Sequence, residues 1–418
     1  MKPITPFGLP VGLSIAFWTF IGLVRFVSEN VRGEEKAKPK KNRFSVKDIA
    51  VVIPAHNESL VIRGCIKAVR KSVPVRQIYV VSDGSTDNTK DQAKKEGANV
   101  SQLNPGLGKA KALKHLFVKY NLFKRYKLIF IVDADTKMDE DCLKYALPLF
   151  NDKDIKVVFA SSQIKWPKHL LPRKAYYFMS YRDRLNRLLS YCFVYGQTWK
   201  HTNVNYVIPG FATIYRSDTL KKLEIDTPGL LIEDFNLAFQ FHKKKLGKIG
   251  YEPRMIGWDQ YPQTFTDYWK QVRRWNIGFF QTVKKNGVWP SFFWLALGVF
   301  SFEILLHSIF LLILPLILLS TFSNFFSIGP IQPIIGFYES LPFYESYTLS
   351  DLFISIFLID YILTVVVGLW LRKPQFIFYG FFFIFMHYAT SLALLSSIYP
   401  GFFGKSEGKW KSPERQKN

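Results

Sequence analysis

Cysteine is scarce in this chain of 418 residues. The three present, Cys65, Cys142 and Cys192, stand far apart and without metal-ligand spacing. That excludes a cysteine-based zinc site, offers no disulfide framework, and fits a reducing compartment. The phosphate-loop spacing is also missing. The glycine-containing turn Asn104-Pro105-Gly106-Leu107-Gly108-Lys109-Ala110 enters a helix with a lysine but lacks that arrangement, which disfavours a kinase or ATPase. Basic residues are missing from a whole region. Between residues 291 and 400 the only Lys or Arg are Arg372 and Lys373, although the chain carries 56 of them. The formal net charge of +24 therefore belongs almost entirely to the chain before residue 291 and to the tail.

Such basicity raises a nucleic-acid reading, but no nucleic-acid module is recognisable and no nucleic-acid partner is expected. Lys and Arg gather on the cytoplasmic side of membrane proteins and meet anionic lipid headgroups there. Residues 7–28 form an apolar run long enough to span a bilayer. Little positive charge precedes it and no small-residue cleavage site follows, so a transmembrane helix over 1–28 is expected rather than a removed signal peptide. The basic stretch 29–47 reads as a juxtamembrane linker. Apolar spans are expected near 302–320, 352–371 and 376–398, with an aromatic interfacial helix over 289–301 and a basic tail over 401–418. The loop 322–350 has no Lys or Arg and is placed outside, whereas Arg372-Lys373 is placed inside. This gives a multi-pass cell-membrane protein with a cytoplasmic domain over 48–288. Four spans put both termini outside, yet five basic residues in Lys405–Lys417 favour the inside. A re-entrant or fifth segment reconciles the two.

Between the flanks the pattern changes. Residues 49–53, 78–81 and 128–132 are short β-branched runs, with Lys-rich helical segments at 59–71, 87–96 and 109–120 between them. Further strands are read at 157–160 and 207–215. Continuous apolar strands alternating with helices predict an α/β, doubly wound parallel sheet. Ligands of such sheets bind beyond the carboxyl ends of the strands, which is where His56-Asn57-Glu58, Asp83-Gly84-Ser85 and Asp133-Ala134-Asp135 fall.

Each cluster has a chemistry and a bland alternative. Two carboxylates one residue apart, Asp133 and Asp135, can hold Mg²⁺ or Mn²⁺ and leave positions open for phosphate oxygens; Asp-x-Asp is also common on solvated turns. Glu233-Asp234 opens a helix. Asp234 could serve as a general base toward an acceptor hydroxyl, or the pair could simply favour the helix dipole. Gln271-Val272-Arg273-Arg274-Trp275 offers an amide, a guanidinium fork for a diphosphate and an indole to stack on a sugar; an interfacial Trp/Arg belt would look similar. Lys109 supplies a cation and backbone donors near phosphate, or lies in an ordinary loop. The turn Pro209-Gly210-Phe211 could support an acceptor ring or merely join strands.

Together these motifs resemble the family-2 glycosyltransferases, and among them the membrane-embedded processive synthases of cellulose, chitin, hyaluronan and poly-N-acetylglucosamine. Val52-Ile53-Pro54-Ala55-His56-Asn57-Glu58, Val81–Thr89, Gly108–Leu113, Val132–Thr136, Ile232–Asp234 and Gln271-x-x-Arg274-Trp275 follow in the family's order. Two positions depart from it: Ser82 stands where a second acidic residue is frequent, and Ile232 where Thr is usual. The resemblance implies a GT-A-like domain binding a UDP-sugar. In it Pro54, Asn57 and Glu58 line the nucleotide pocket and Asp83 hydrogen-bonds uracil. Lys109 lies near the donor, Asp133 holds the donor sugar or diphosphate, and Asp135 holds the metal. Asp234 is implied as the base of an inverting transfer. Glu233, Gly210, Gln271, Arg274 and Trp275 are expected around the diphosphate and the acceptor. The expected product is a β-linked polysaccharide made from UDP-N-acetylglucosamine and exported, with room for a small membrane partner subunit. Transfer of one or a few sugars to a membrane lipid of diacylglycerol or ceramide type is the alternative. Glu303, His307 and Asp360, ionisable groups inside apolar spans, fit either a polysaccharide path or polar bundle packing.

Overall fold

The computed structural model describes Ile21 and residues 42–164, 173–191, 199–259, 261–323, 329–340 and 357–404. The expected N-terminal span, most of the basic linker and the tail from residue 405 lie outside these residues. At its centre is a sheet of eight strands: β1 Ile49–Ala55, β2 Ile78–Asp83, β3 Asn99–Leu103, β4 Leu128–Val132, β5 Lys137–Met138, β6 Ile155–Ile164, β7 Ala212–Arg216 and β8 Lys248–Asp259. Their spatial order is β3-β2-β1-β4-β7-β6-β8-β5. Helices α1 Ile62–Val69, α2 Thr89–Lys95 and α3 Lys109–Lys119 connect the first strands. β1 and β4 are buried along their whole length, as parallel strands inside a sheet are. Burying each of their Val and Ile side chains contributes about 1.5–3 kcal/mol.

The parallel pairing expected from sequence holds for β3-β2-β1-β4 and again for β6-β8. β7 runs antiparallel to both β4 and β6, and β5 antiparallel to β8, so the sheet is mixed. The strand predicted over 207–215 begins at Ala212. Residues before it stay out of the ladder and use their polar groups elsewhere: Ile208 N–H donates to Asp234 O at 3.2 Å. The reversal of β7 matters for function. Val132 at the end of β4 pairs with Ala212 at the start of β7, so the Pro209–Phe211 turn arrives beside Asp133. The Asp133 N–H donates to Phe211 O at 2.9 Å.

Beyond the sheet lie α4 Arg173–Tyr191, α5 Glu233–Lys243 and α6 Phe265–Asn286. Thr264 caps the start of α6, accepting from the Asp267 N–H at 3.2 Å. Gly287, at φ 67°, ends it. α6 packs along the last helix: Tyr268 OH meets Thr390 Oγ1 at 2.7 Å, and Lys284 Nζ donates to Phe402 O at 2.6 Å.

The apolar part contains α7 Phe292–Ser323, α8 Ile359–Trp370, α9 Pro374–Gly380 and α10 Phe383–Phe403. Among the described residues one helix, α7, is long and apolar enough over Phe292–Ile309 to cross a membrane. Residues 292–301, expected as a separate interfacial helix, are continuous with it. α9 and α10 pass the same test together but are bent by 66°, the shape of a broken span or a re-entrant segment. Asp360 is not an isolated polar group: it accepts from Arg184 Nη1 at 3.1 Å and contacts His387 Nε2 at 3.1 Å.

Candidate active site

The loops after β1 and β2 are tied to each other. Asn57, at φ 54°, accepts from the Thr86 N–H at 2.8 Å, and its own N–H donates to Ser85 Oγ at 3.1 Å. Pro54 and Glu58 are buried at this end of β1; the Glu58 N–H donates to Thr89 Oγ1 at 2.8 Å. Asp83 accepts from the N–H groups of Leu107 (2.7 Å) and Gly108 (2.8 Å). The residue expected to read uracil thus tethers the glycine loop, while each oxygen keeps a second lone pair. Gly84 makes that closeness feasible. It sits at φ 62°, and a Cβ there would stand 2.7 Å from Gly106 N.

The loop delivers Lys109 to the centre of the site. Its Nζ lies 3.0 Å from Asp133 Oδ1 and 3.0 Å from Glu233 Oε1. Both contacts are charge-assisted ion pairs. Asp234 Oδ1 is buried and unpartnered. Burial disfavours the Lys109 ammonium, but Asp133, Glu233 and Asp234 outweigh it and hold its pKa well above the usual value. The two neighbouring carboxylates split. Burial and then Glu233 push Asp234 up to about 7. Burial would raise Glu233 too, but Lys109 and Arg274 bring it below the usual range. Burial also raises Asp133, with Lys109 opposing and Asp135 reinforcing.

Gly210 lies against this cluster. A Cβ there would stand 2.6 Å from Asp234 Oδ1 and 2.7 Å from Lys109 Nζ, so glycine leaves the space those two atoms occupy. Gly278 on α6 does the same one layer out, where a Cβ would stand 2.8 Å from Ile232 Cγ1. This lets the helix carrying Gln271, Arg274 and Trp275 press on the residue just before Glu233-Asp234. Gln271 Oε1 is buried without a hydrogen-bond partner. Trp275 is covered by Arg182, whose guanidinium carbon lies 4.5 Å from the indole ring centre.

A further carboxylate escaped the sequence reading. Asp259, at the end of β8, accepts from Thr136 Oγ1 and Ser162 Oγ, both at 2.8 Å. Burial and then Asp135 push it up to about 8. Ser162 continues the network to Tyr261 and Asn186. An acid at the end of a strand, the position shared by Asp83 and Asp133, was the available signal.

As to a metal, no group of three or more His, Cys, Asp or Glu among the described residues could hold an ion. Asp133 and Asp135 still fit a hard divalent cation. They are close enough to repel, and Asp133 Oδ1 is a buried oxygen held only by the Lys109 ammonium at 3.0 Å among the described residues. Mg²⁺ ordinarily takes only one or two carboxylates plus substrate phosphates.

Residues 50–221 match the family model described as glycosyl transferase family 2. The matched stretch runs from β1 through β7. Related sequences carry glycosyltransferase names as well. Poly-beta-1,6-N-acetyl-D-glucosamine synthase of Staphylococcus epidermidis is 23% identical over 291 residues, covering 68% of this chain and 66% of that protein. The probable glycosyltransferase YdaM of Bacillus subtilis is 29% identical over 258 residues, covering 58% and 57%. The chain thus spans less than two thirds of the length of these relatives. The glycosyltransferase fold also resembles a mannosyltransferase from Pyrobaculum calidifontis, solved in complex with GDP-Man and Mn²⁺. The TM-score is 0.53 at 14% identity, over 95% of this chain and 100% of that one.

Proposed function

We propose that this protein is an inverting membrane glycosyltransferase. It transfers N-acetylglucosamine from UDP-N-acetylglucosamine to a growing β-linked polysaccharide at the cytoplasmic face of the cell membrane, and exports the product. The observation that carries the reading is the Asp234 carboxylate. It has a free buried oxygen, a pKa raised to about 7, and Lys109, Asp133 and Glu233 around it at the carboxyl end of the sheet. The similarity to poly-beta-1,6-N-acetyl-D-glucosamine synthases supports the donor and product class.

In this mechanism Asp234 takes the proton from the acceptor hydroxyl, which attacks the anomeric carbon on the face opposite the diphosphate. The carbon–oxygen bond to the diphosphate breaks as the new one forms, so the configuration inverts without a covalent enzyme intermediate. Glu233, held ionised by Lys109 and Arg274, disfavours a second negative charge and keeps Asp234 a competent base near neutral pH. Lys109, Gln271 and Arg274 supply N–H donors to the departing diphosphate. Asp133 and Asp135 would hold Mg²⁺ or Mn²⁺, which when bound supplies charge neutralisation at the diphosphate. Pro54, Asn57, Glu58 and Asp83 line the nucleotide side, and Trp275 faces the acceptor.

The packing of α6 along the apolar α10 favours a second reading, in which the acceptor is a membrane lipid. Incorporation from a panel of radiolabelled UDP-sugars, in membranes carrying wild type or Asp234→Asn with Mg²⁺ or Mn²⁺, separates the two. Long, solvent-insoluble product from UDP-N-acetylglucosamine is expected with wild type only. Short, solvent-extractable product would move the assignment to lipid glycosylation.

A further inference from the structure

Helix α4 carries three consecutive charged residues that the reaction does not use, each with a different partner. The Arg182 guanidinium lies over Trp275 of the signature helix at 4.5 Å and within 5.8 Å of the Tyr261 ring centre. Asp183 pairs with Lys373, which precedes α9, and with Arg187 at 3.4 Å. Arg184 grips both oxygens of Asp360 on α8, through Nη1 at 3.1 and 3.2 Å and through Nη2. The side chains of Asp183 and Arg184 are 0% and 3% exposed. Taking charges this far from water costs several kcal/mol per ion, and apolar residues in their place are often as stable or more so. A buried pair of this kind is therefore poorly explained by stability, whereas it does fix the relative placement of two elements.

We infer that the buried pairs Arg184–Asp360 and Asp183–Lys373 are a positioning clamp: they lock α4 to the apolar helices and so set Arg182 on the face of Trp275. The platform that receives the acceptor is then registered to the membrane part of the chain as well as to the sheet, which holds α4 through Arg187 Nη2 to Gln163 Oε1 of β6 at 2.9 Å. Arg184 and Asp360 act through Arg182 and Trp275 and touch no reacting atom. Their influence falls on the acceptor side, because the donor side is assembled from β1, β2, β4 and the Lys109 loop, whereas the partners of Arg184 and Asp183 lie on α8 and just before α9. This inference rests on the reading of Trp275 as the acceptor platform.

The test uses the full chain in membranes, UDP-N-acetylglucosamine as donor and a β-1,6-linked N-acetylglucosamine oligomer as acceptor. Arg184→Leu alone leaves Asp360 with His387 but without its guanidinium and is expected to lower thermal stability. The double variant Arg184→Leu/Asp360→Leu removes both charges and recovers it. In that double variant the acceptor KM is expected to rise about tenfold, the worth of a lost stacking geometry, while the donor KM stays within about twofold of wild type. Arg184→Lys, which keeps the charge but loses the fork, should fall between. A double variant with wild-type acceptor KM would make the pair merely structural and overturn the inference. So would equal shifts in donor and acceptor KM. Trp275→Ala is the control for the underlying reading. If it leaves the acceptor KM unchanged while Asp234→Asn still abolishes transfer, the acceptor lies elsewhere and the clamp has no platform to set.

Discussion

Adding one carbon at Gly210 should damage catalysis far more than folding. The Cβ of Gly210→Ala would stand 2.6 Å from Asp234 Oδ1 and 2.7 Å from Lys109 Nζ. Ordinary contact between such atoms begins about 1 Å further out, so both groups must retreat by about that much. Gly210 has no left-handed φ to preserve, and the atoms in the way are side-chain ends rather than backbone. The folding penalty therefore sits at the low end of overpacking, about 1 kcal/mol, or about 2–4 °C in Tm. The two displaced ends are the proposed base and the cation paired with Asp133 and Glu233. A misplacement of about 1 Å in such a constellation costs on the order of a hundredfold in rate. The assay pairs radiolabel transfer from UDP-N-acetylglucosamine with thermal unfolding of the purified protein. Transfer within threefold of wild type would show that the placement of Asp234 and Lys109 does not govern the reaction. A Tm loss of about 10 °C would instead show that the crowding is borne by the fold.

Asp234→Asn should abolish transfer, and the kcat/KM of wild type should rise as pH increases through about 7, where the Asp234 carboxylate ionises; a flat profile from pH 5 to 9 would refute the base assignment. Lys109→Met removes the cation that opposes protonation of Asp133, Glu233 and Asp234, so the rise should move to higher pH; a move to lower pH would contradict the geometry. Asp259 titrates at about 8 in the folded protein against its usual 3.8. The folded state therefore holds a proton that the unfolded state has released, and wild type should lose stability as pH climbs across that window. Asp259→Asn cannot titrate, so its Tm relative to wild type should increase from pH 4 to 8; a constant difference would refute this. Gly278→Ala places a Cβ 2.8 Å from Ile232 and should cost about 1–3 kcal/mol by overpacking, read as a Tm loss together with a fall in kcat.

Local pattern was enough to find β1, β2 and β4, because strands buried on both faces must be continuously apolar. The polar residues ending those runs were readable for the same reason: a buried strand has no other place for them. The direction of β7 was not readable. Ala212–Arg216 has the same alternation whichever way it pairs, and only its partners β4 and β6 decide. β8 was missed because Pro253 and the residues between Glu252 and Ile256 that the ladder with β6 skips break the strand rhythm, which hid Asp259 with it. Asp360 looked like an unexplained acid in an apolar span because its partner, Arg184, lies 176 residues earlier. The motif residues Lys109, Asp133, Glu233 and Asp234 do converge, but the role of Gly210 as the space they share had no signature beyond the glycine itself.

The contact between α6 and α10 bears on how the enzyme can be handled. Tyr268 and Val272 are buried in one cluster with Phe383 and Met386, and Ser397 Oγ donates to Arg273 O at 3.3 Å. A chain cut after Asn286 would keep every signature residue yet strip the apolar cover from the helix that bears them. A soluble fragment of that length would fail for want of a wall, and its inactivity would say nothing about the carboxylates. Biochemistry on this protein belongs in detergent or bilayer discs, with the last helix attached.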